Sequence, residues 1–109
     1  VRATNLVGPL RDALTGRWRR PDAGYILEII SADPDGQVRA RYFNPAPIHV
    51  ARATIQEADP PLLYVQLQDV GYSGSYYQLR YDPAGDRLVG TYDQPAAQRR
   101  HDVYFERFR

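Results

Sequence analysis

The segment Leu63–Tyr81 reads LYVQLQDVGYSGSYYQLRY. Leu63, Val65 and Leu67 alternate with Tyr64, Gln66 and Gln68, so every second residue is apolar. Successive side chains of a strand point to opposite faces, and this alternation describes a strand with one face on a core. The pattern resumes at Tyr77, Leu79 and Tyr81 after the glycine-containing break VGYSG. Asp69 departs from it, because an acid stands where the inward register calls for a core residue.

Outward from this segment, similar runs recur between clusters of Pro, Gly, Asp and Asn, the pattern of an all-β sandwich or barrel. Eight strands are expected, at Gly16–Arg19, Tyr25–Ser31, Val38–Asn44, Ile48–Glu57, Leu62–Asp69, Ser75–Asp82, Arg87–Asp93 and Asp102–Phe108. Pro9–Thr15 is the one helical stretch, with Pro9 suited to a first helical position and Gly16 to a stop. Within Ile48–Ile55 the apolar residues change face. A β-bulge near Val50–Ala51 would turn Ile48, Val50, Ala51, Ala53 and Ile55 inward, leaving His49 and Arg52 outside.

Three connections are chemically alike: Asp33–Gly36 (DPDG), Asp59–Pro61 (DPP) and Asp82–Gly85 (DPAG). Proline presets the first turn torsion and Asp bonds to the backbone beyond it. The others differ: Arg19–Gly24, Asn44–Pro47, Val70–Gly74 and Gln94–His101. In an up-and-down meander alternate connections fall on opposite ends, giving one plain end and one elaborated end. The expectation is a single domain over residues 1–109, an eight-stranded antiparallel up-and-down barrel. Residues 1–15 form an N-terminal segment and 16–108 the barrel. Closure removes the sheet edges that invite aggregation, and eight strands leave room for side chains or one small ligand.

Composition narrows the partners. The chain has 14 basic and 13 acidic residues, and every basic residue is arginine. Near-neutral charge removes the long-range attraction on which nonspecific nucleic-acid binding depends. Arg39, Arg41 and Arg80 with Tyr64 and Tyr76 have the residue types of a nucleic-acid-binding barrel face. Charge balance and strand number argue against that partner, and none is expected. No apolar run approaches the roughly 20 residues of a membrane span. With no cysteine there is neither a disulfide nor a thiolate site. The two histidines, His49 and His101, are not in ligand-spaced motifs, so no metal or other cofactor is expected. The first residue is Val1, which fits a processed or trimmed N-terminus and a lost export signal.

The segments Leu14–Pro21 (LTGRWRRP) and Leu88–Pro95 (LVGTYDQP) share Leu-x-Gly-x-aromatic-x-x-Pro. The triplet Gly16-Arg17-Trp18, following a helical turn and opening the first strand, resembles the start of lipocalins among the calycin barrels. LTGRW is also similar to the opening of the avidin family. The resemblance implies a lipocalin-like barrel in which an arginine beyond the last strand lies across the tryptophan. Arg107 is the candidate, in register with Val103 and Phe105, and Arg109 is the fallback. The stretches GRWRRPDAGYILEI, YFNPAPIHVA, GYSGSYYQLRYD and DRLVGTY also look like small exported bacterial proteins, which implies a periplasmic or envelope location.

Extending each inward register to the elaborated end brings Tyr25, Tyr42, Asn44, Asp69, Ser75, Tyr77, Tyr92 and His101 to one opening. A few polar groups in an aromatic wall are the make-up of a ligand pocket. The leading expectation is therefore noncatalytic binding of a small, partly apolar or amphipathic molecule. The competing reading is an interaction module with a filled barrel, presenting Phe43, Pro45, Pro47 and Tyr72 to another protein. In it, Asp69 and Asn44 merely bond to turn backbone. A small enzyme using Asp69 and His101 is the third, and no nucleophile pattern accompanies that pair.

Overall fold

The computed structural model describes residues 8–56, 58 and 60–108. A seven-residue helix α1 (Gly8–Leu14) precedes nine strands. They are β1 (Gly16–Arg19), β2 (Ile26–Ala32), β3 (Val38–Asn44), β4 (Ala46–Ile48), β5 (Val50–Gln56), β6 (Leu62–Asp69), β7 (Tyr72–Asp82), β8 (Arg87–Gln94) and β9 (Arg99–Arg107). All belong to one antiparallel sheet in the order β4-β3-β2-β1-β9-β8-β7-β6-β5. The two ends of that order, β4 and β5, are consecutive in the chain and separated only by His49. The sheet thus curls round on itself into a nearly closed barrel, an all-β architecture compatible with the calycin type.

The expected fourth strand, Ile48–Glu57, is divided, which makes nine strands from eight; Glu57 lies outside the described residues. The division is a change of partner. Ala46–Ile48 pairs with β3, whereas Val50–Gln56 pairs with β6. Pro47 sits in β4, which has a ladder on one side only, so its missing N–H breaks no pairing. Across the seam, Gln37 and Thr54 form an antiparallel bridge and the Ile55 N–H donates to the Gly36 carbonyl at 2.7 Å. Gly36 permits this approach. Its φ is +95°, and a Cβ there would lie 2.6 Å from the Ile55 carbonyl oxygen.

The expected bulge is present, with the β5–β6 register shifting between Val50 and Arg52. Ala53 and Ile55 are buried and Ile48 and Val50 pack against the core. Ala51 departs from the expectation. It is itself the unpaired extra residue, and it stays exposed beside Arg52.

Inside lie Trp18, Leu27, Ile29, Leu63, Val65, Leu67, Leu79, Leu88 and Phe105, each no more than 2% exposed. Every such side chain removed from water contributes about 1.5–3 kcal/mol. Alternation along the strands is what delivers them to one face. At Gly90 two strands approach so closely that a Cβ would come within 1.8 Å of the Gln78 carbonyl oxygen.

At the plain end Arg107 lies across Trp18. Its guanidinium lies 4.1 Å from the Trp18 ring centroid. Nη1 donates to the Thr15 carbonyl at 3.0 Å and Nη2 to the Ala13 carbonyl at 2.7 Å. Nε and Nη2 also take both oxygens of Asp86 at 3.0 and 2.9 Å. The indole Nε1–H donates to the Leu14 carbonyl at 3.0 Å, fastening α1 across the opening. Gly16 lies beneath, where a Cβ would stand 3.0 Å from Arg107 Nη1. Arg109 lies outside the described residues.

Candidate functional site: the barrel mouth

At the opposite end the strands run further than alternation suggested. β7 starts at Tyr72 and β9 at Arg99, so the expected VGYSG loop contracts to Val70-Gly71. Tyr42, Ser75, Tyr77 and Tyr92 are buried, Tyr25 and Asn44 are half-buried, and His101 is exposed. The Tyr77 and Tyr92 rings stack at 4.4 Å, and Tyr42 lies 5.7 Å from Tyr77 and 5.9 Å from Tyr25. Phe105 meets Tyr77 edge-on at 5.2 Å. The space beneath the mouth is thus occupied by rings in mutual contact. The Tyr42 and Tyr77 hydroxyls share a hydrogen bond of 2.7 Å. Burial, the largest influence on each, pushes both phenols well above the ordinary tyrosine range.

Asp69 has a specific occupation. Its Oδ2 accepts the His49 N–H and its Oδ1 the Val70 N–H, both at 2.8 Å. These bonds, that to His49 first, hold its pKa below the usual carboxylate range. The acid that interrupts the alternation closes its own turn and pins the strand that crosses the seam. Asn44 Nδ2 donates to the Tyr72 hydroxyl. His101 pairs through Nε2 with Gln94 Oε1 at 3.2 Å, so it and Asp69 are engaged with different partners.

The reading of inward registers passed over Arg20. It is only 7% exposed. Nη1 donates to the Tyr77 hydroxyl at 2.8 Å, while Nε and Nη2 donate to Asp22 Oδ1 and Oδ2 at 3.0 and 2.8 Å. The guanidinium stands 4.9 Å from the Tyr25 ring centroid, 5.6 Å from Tyr92 and 5.9 Å from Tyr77. Burial works to lower its pKa, but the bonds to Asp22 and Tyr77 outweigh it and the net direction is upward. The hydrogen bond from Arg20 is likewise the main cause holding the Asp22 carboxyl below its usual range. A signal was available. Gly16 and Trp18 lead two residues on to Arg20, but RRPDAG reads as a loop and the register was stopped there.

Above Arg20 a cavity of about 260 Å³ opens between Asp22, Tyr25, Tyr92, Gln94, His101 and Asp102. It offers a fixed cation, two aromatic walls, amide and imidazole groups at the rim and the carboxylates of Asp22 and Asp102. A larger hollow, about 500 Å³, lies among Arg80, Val89, Thr91 and Tyr104. It is an open trough on the strand surface without a buried polar side chain, and the mouth is the better-built site.

No protein-family model matches the chain, and neither the curated proteins nor the solved structures contain a match to it. What fold and site define is a class: a nearly closed antiparallel barrel with one end locked by an arginine on a tryptophan. Its other end presents tyrosines around a second arginine. Among the described residues no helix is long and apolar enough to cross a membrane.

Proposed function

We propose that this protein binds a small, partly apolar molecule at the barrel mouth, without catalysing a reaction. One observation carries the reading. A cavity of molecular size opens directly onto a buried cation between two tyrosine rings. The stacked rings below make it shallow, so a ligand would lie across the rim. The cavity's lining is mainly polar, with the Tyr25 and Tyr92 rings as the aromatic walls, so the placed polar groups would set a ligand's orientation. A lipocalin-like relationship belongs to the same proposal, supported by the Gly16-x-Trp18 start and the Trp18–Arg107 contact, and an exported location rests on the likeness to small exported bacterial proteins alone.

The test is titration of the protein with a panel of small amphipaths, followed by NMR. Binding at the mouth shifts the Tyr25, Tyr92 and His101 resonances and leaves Val89 and Tyr104 still. Shifts confined to Val89 and Tyr104 would move the site to the outer trough and refute the assignment.

A second reading, an interaction module, is favoured by the 93% exposure of Val70 at the tip of its turn. Exposed Pro45 and Pro47 lie on the neighbouring hairpin, which the Asn44–Tyr72 bond ties to β7. On that reading Val70→Asp abolishes partner binding while amphipath titrations stay unchanged.

A further inference from the structure

We infer that the molecule bound at the mouth carries a carboxylate, and that it docks by replacing Asp22 on the Arg20 guanidinium. The inference rests on the binding function proposed above and specifies the ligand class.

Arg20 is already organised as a carboxylate receptor. Tyr77 holds one edge of the guanidinium through Nη1, and the rings of Tyr25 and Tyr92 flank it. The other edge, Nε and Nη2, presents two parallel donors, and a carboxylate accepts both. That two-pronged geometry is the preferred match between guanidinium and carboxylate.

The carboxylate now in the fork comes from the solvent side. The Arg20 side chain is 9% exposed and that of Asp22 61%. Asp22 is also only two residues away, so their contact joins no distant parts of the chain. The turn carrying it is closed independently by backbone. The Gly24 N–H donates to the Arg20 carbonyl at 2.7 Å and the Arg20 N–H to the Tyr25 carbonyl at 2.9 Å. Release of Asp22 therefore breaks one ion pair and leaves the fold intact.

The exchange adds one negative charge to a rim that also carries Asp102, but it leaves no cation unpaired. An incoming carboxylate keeps the buried cation paired, and the displaced one returns to water. An apolar ring attached to it would lie along Tyr25 and Tyr92, with Gln94, His101 and Asp102 at the rim. A neutral ligand offers the fork no such match and leaves Asp22 in place.

Calorimetric titration of the protein with indole-3-acetate and its neutral amide tests this, using the parent and Asp22→Ser. Removing a tethered competitor should tighten binding of the acid about tenfold or more. The parent should prefer the acid over the amide, and the amide should bind both proteins alike. Thermal melting of Asp22→Ser confirms that it folds; Asp22→Asn serves in its place should Ser destabilise the turn. If acid and amide bind equally, or Asp22 variants bind the acid no better, the carboxylate assignment fails while binding at the mouth stands. If neither compound binds parent or variant at millimolar concentration, both the assignment and the binding function fall.

Discussion

Replacing Arg107 by methionine should be among the most damaging single changes in this protein. The side chain is four-fifths buried, and its head makes three kinds of contact at once. Stacking on the fully buried Trp18 ring contributes about 0.5–2 kcal/mol. The bonds to the Thr15 and Ala13 carbonyls contribute only about 1 kcal/mol each, because water reaches freed carbonyls at this end. The pair with Asp86 is one-fifth to one-third exposed and, discounted for solvent, contributes at most about 1 kcal/mol. Together the loss is about 3–5 kcal/mol, a large share of the 5–15 kcal/mol typical of a domain. It corresponds to a fall in Tm of roughly 12 °C or more. Trp18 is the sole tryptophan, so its emission during urea unfolding reports on the same site. Arg107→Lys should recover less than half, because an ammonium cannot span two carbonyls and a carboxylate together. Asp86→Ala should cost less than Arg107→Met, since the indole and carbonyl contacts survive. A loss below about 1 kcal/mol for Arg107→Met, on the scale typical of exposed ion pairs, would show that the plain end is not locked by this residue.

Tyr77→Phe should cost about 2–4 kcal/mol, because the lost hydroxyl leaves an Arg20 N–H and the Tyr42 hydroxyl without a shared partner. Denaturant curves for Tyr77→Phe, Tyr42→Phe and the double variant should be non-additive, and strict additivity would contradict the shared bond. Gly90→Ala should lose at least about 3 kcal/mol or fail to fold, because the new methyl meets backbone of the adjacent strand; a parent-like melting curve would rule out that close approach. Asp69 has a folded pKa below its unfolded value, so its stabilisation is complete above the unfolded pKa and disappears as pH falls through the folded one. The stability gap between parent and Asp69→Asn should therefore close on acidification through and below the ordinary carboxylate range, and a gap independent of pH would refute the two backbone bonds.

The alternation of Leu63–Leu67 was enough to place β6, and Gly16–Arg19 and Val38–Asn44 fall within the same boundaries in sequence and structure. Hydrophobic period works wherever one face of a strand meets the core. It stops working at the mouth, where pairing outlasts burial. Asp69 pairs with Tyr72, and Gln94 with Arg99, so β7 and β9 continue through residues that read as loop. The corner at His49 was hidden for another reason. Nothing in the local residues distinguishes a strand that keeps its partner from one that changes it. Asp69 was placed at the rim correctly, yet its bonds run to His49 and Val70, which register alone does not reveal.

The buried Arg20 and the partly buried Arg107 show why similar chemistry has different consequences at the two ends. Each lies against aromatic rings and each takes both oxygens of an aspartate. Arg107 reaches Ala13 and Thr15, more than ninety residues away in sequence, and Asp86, twenty-one residues away. Its bonds close large loops of chain, so displacing any partner would open the base of the barrel. Arg20 is fixed from behind by Tyr77, fifty-seven residues away, while its outer partner Asp22 belongs to its own turn. The long-range contact holds the cation in place, and the local one belongs to a turn that backbone bonds also close. An arginine whose every partner is distant acts as a lock. One anchored from behind and satisfied in front by its own turn is, on the proposed reading, a receptor with a substitute ligand in place. That asymmetry, more than the polarity of the rim, is what favours the mouth in the proposed reading.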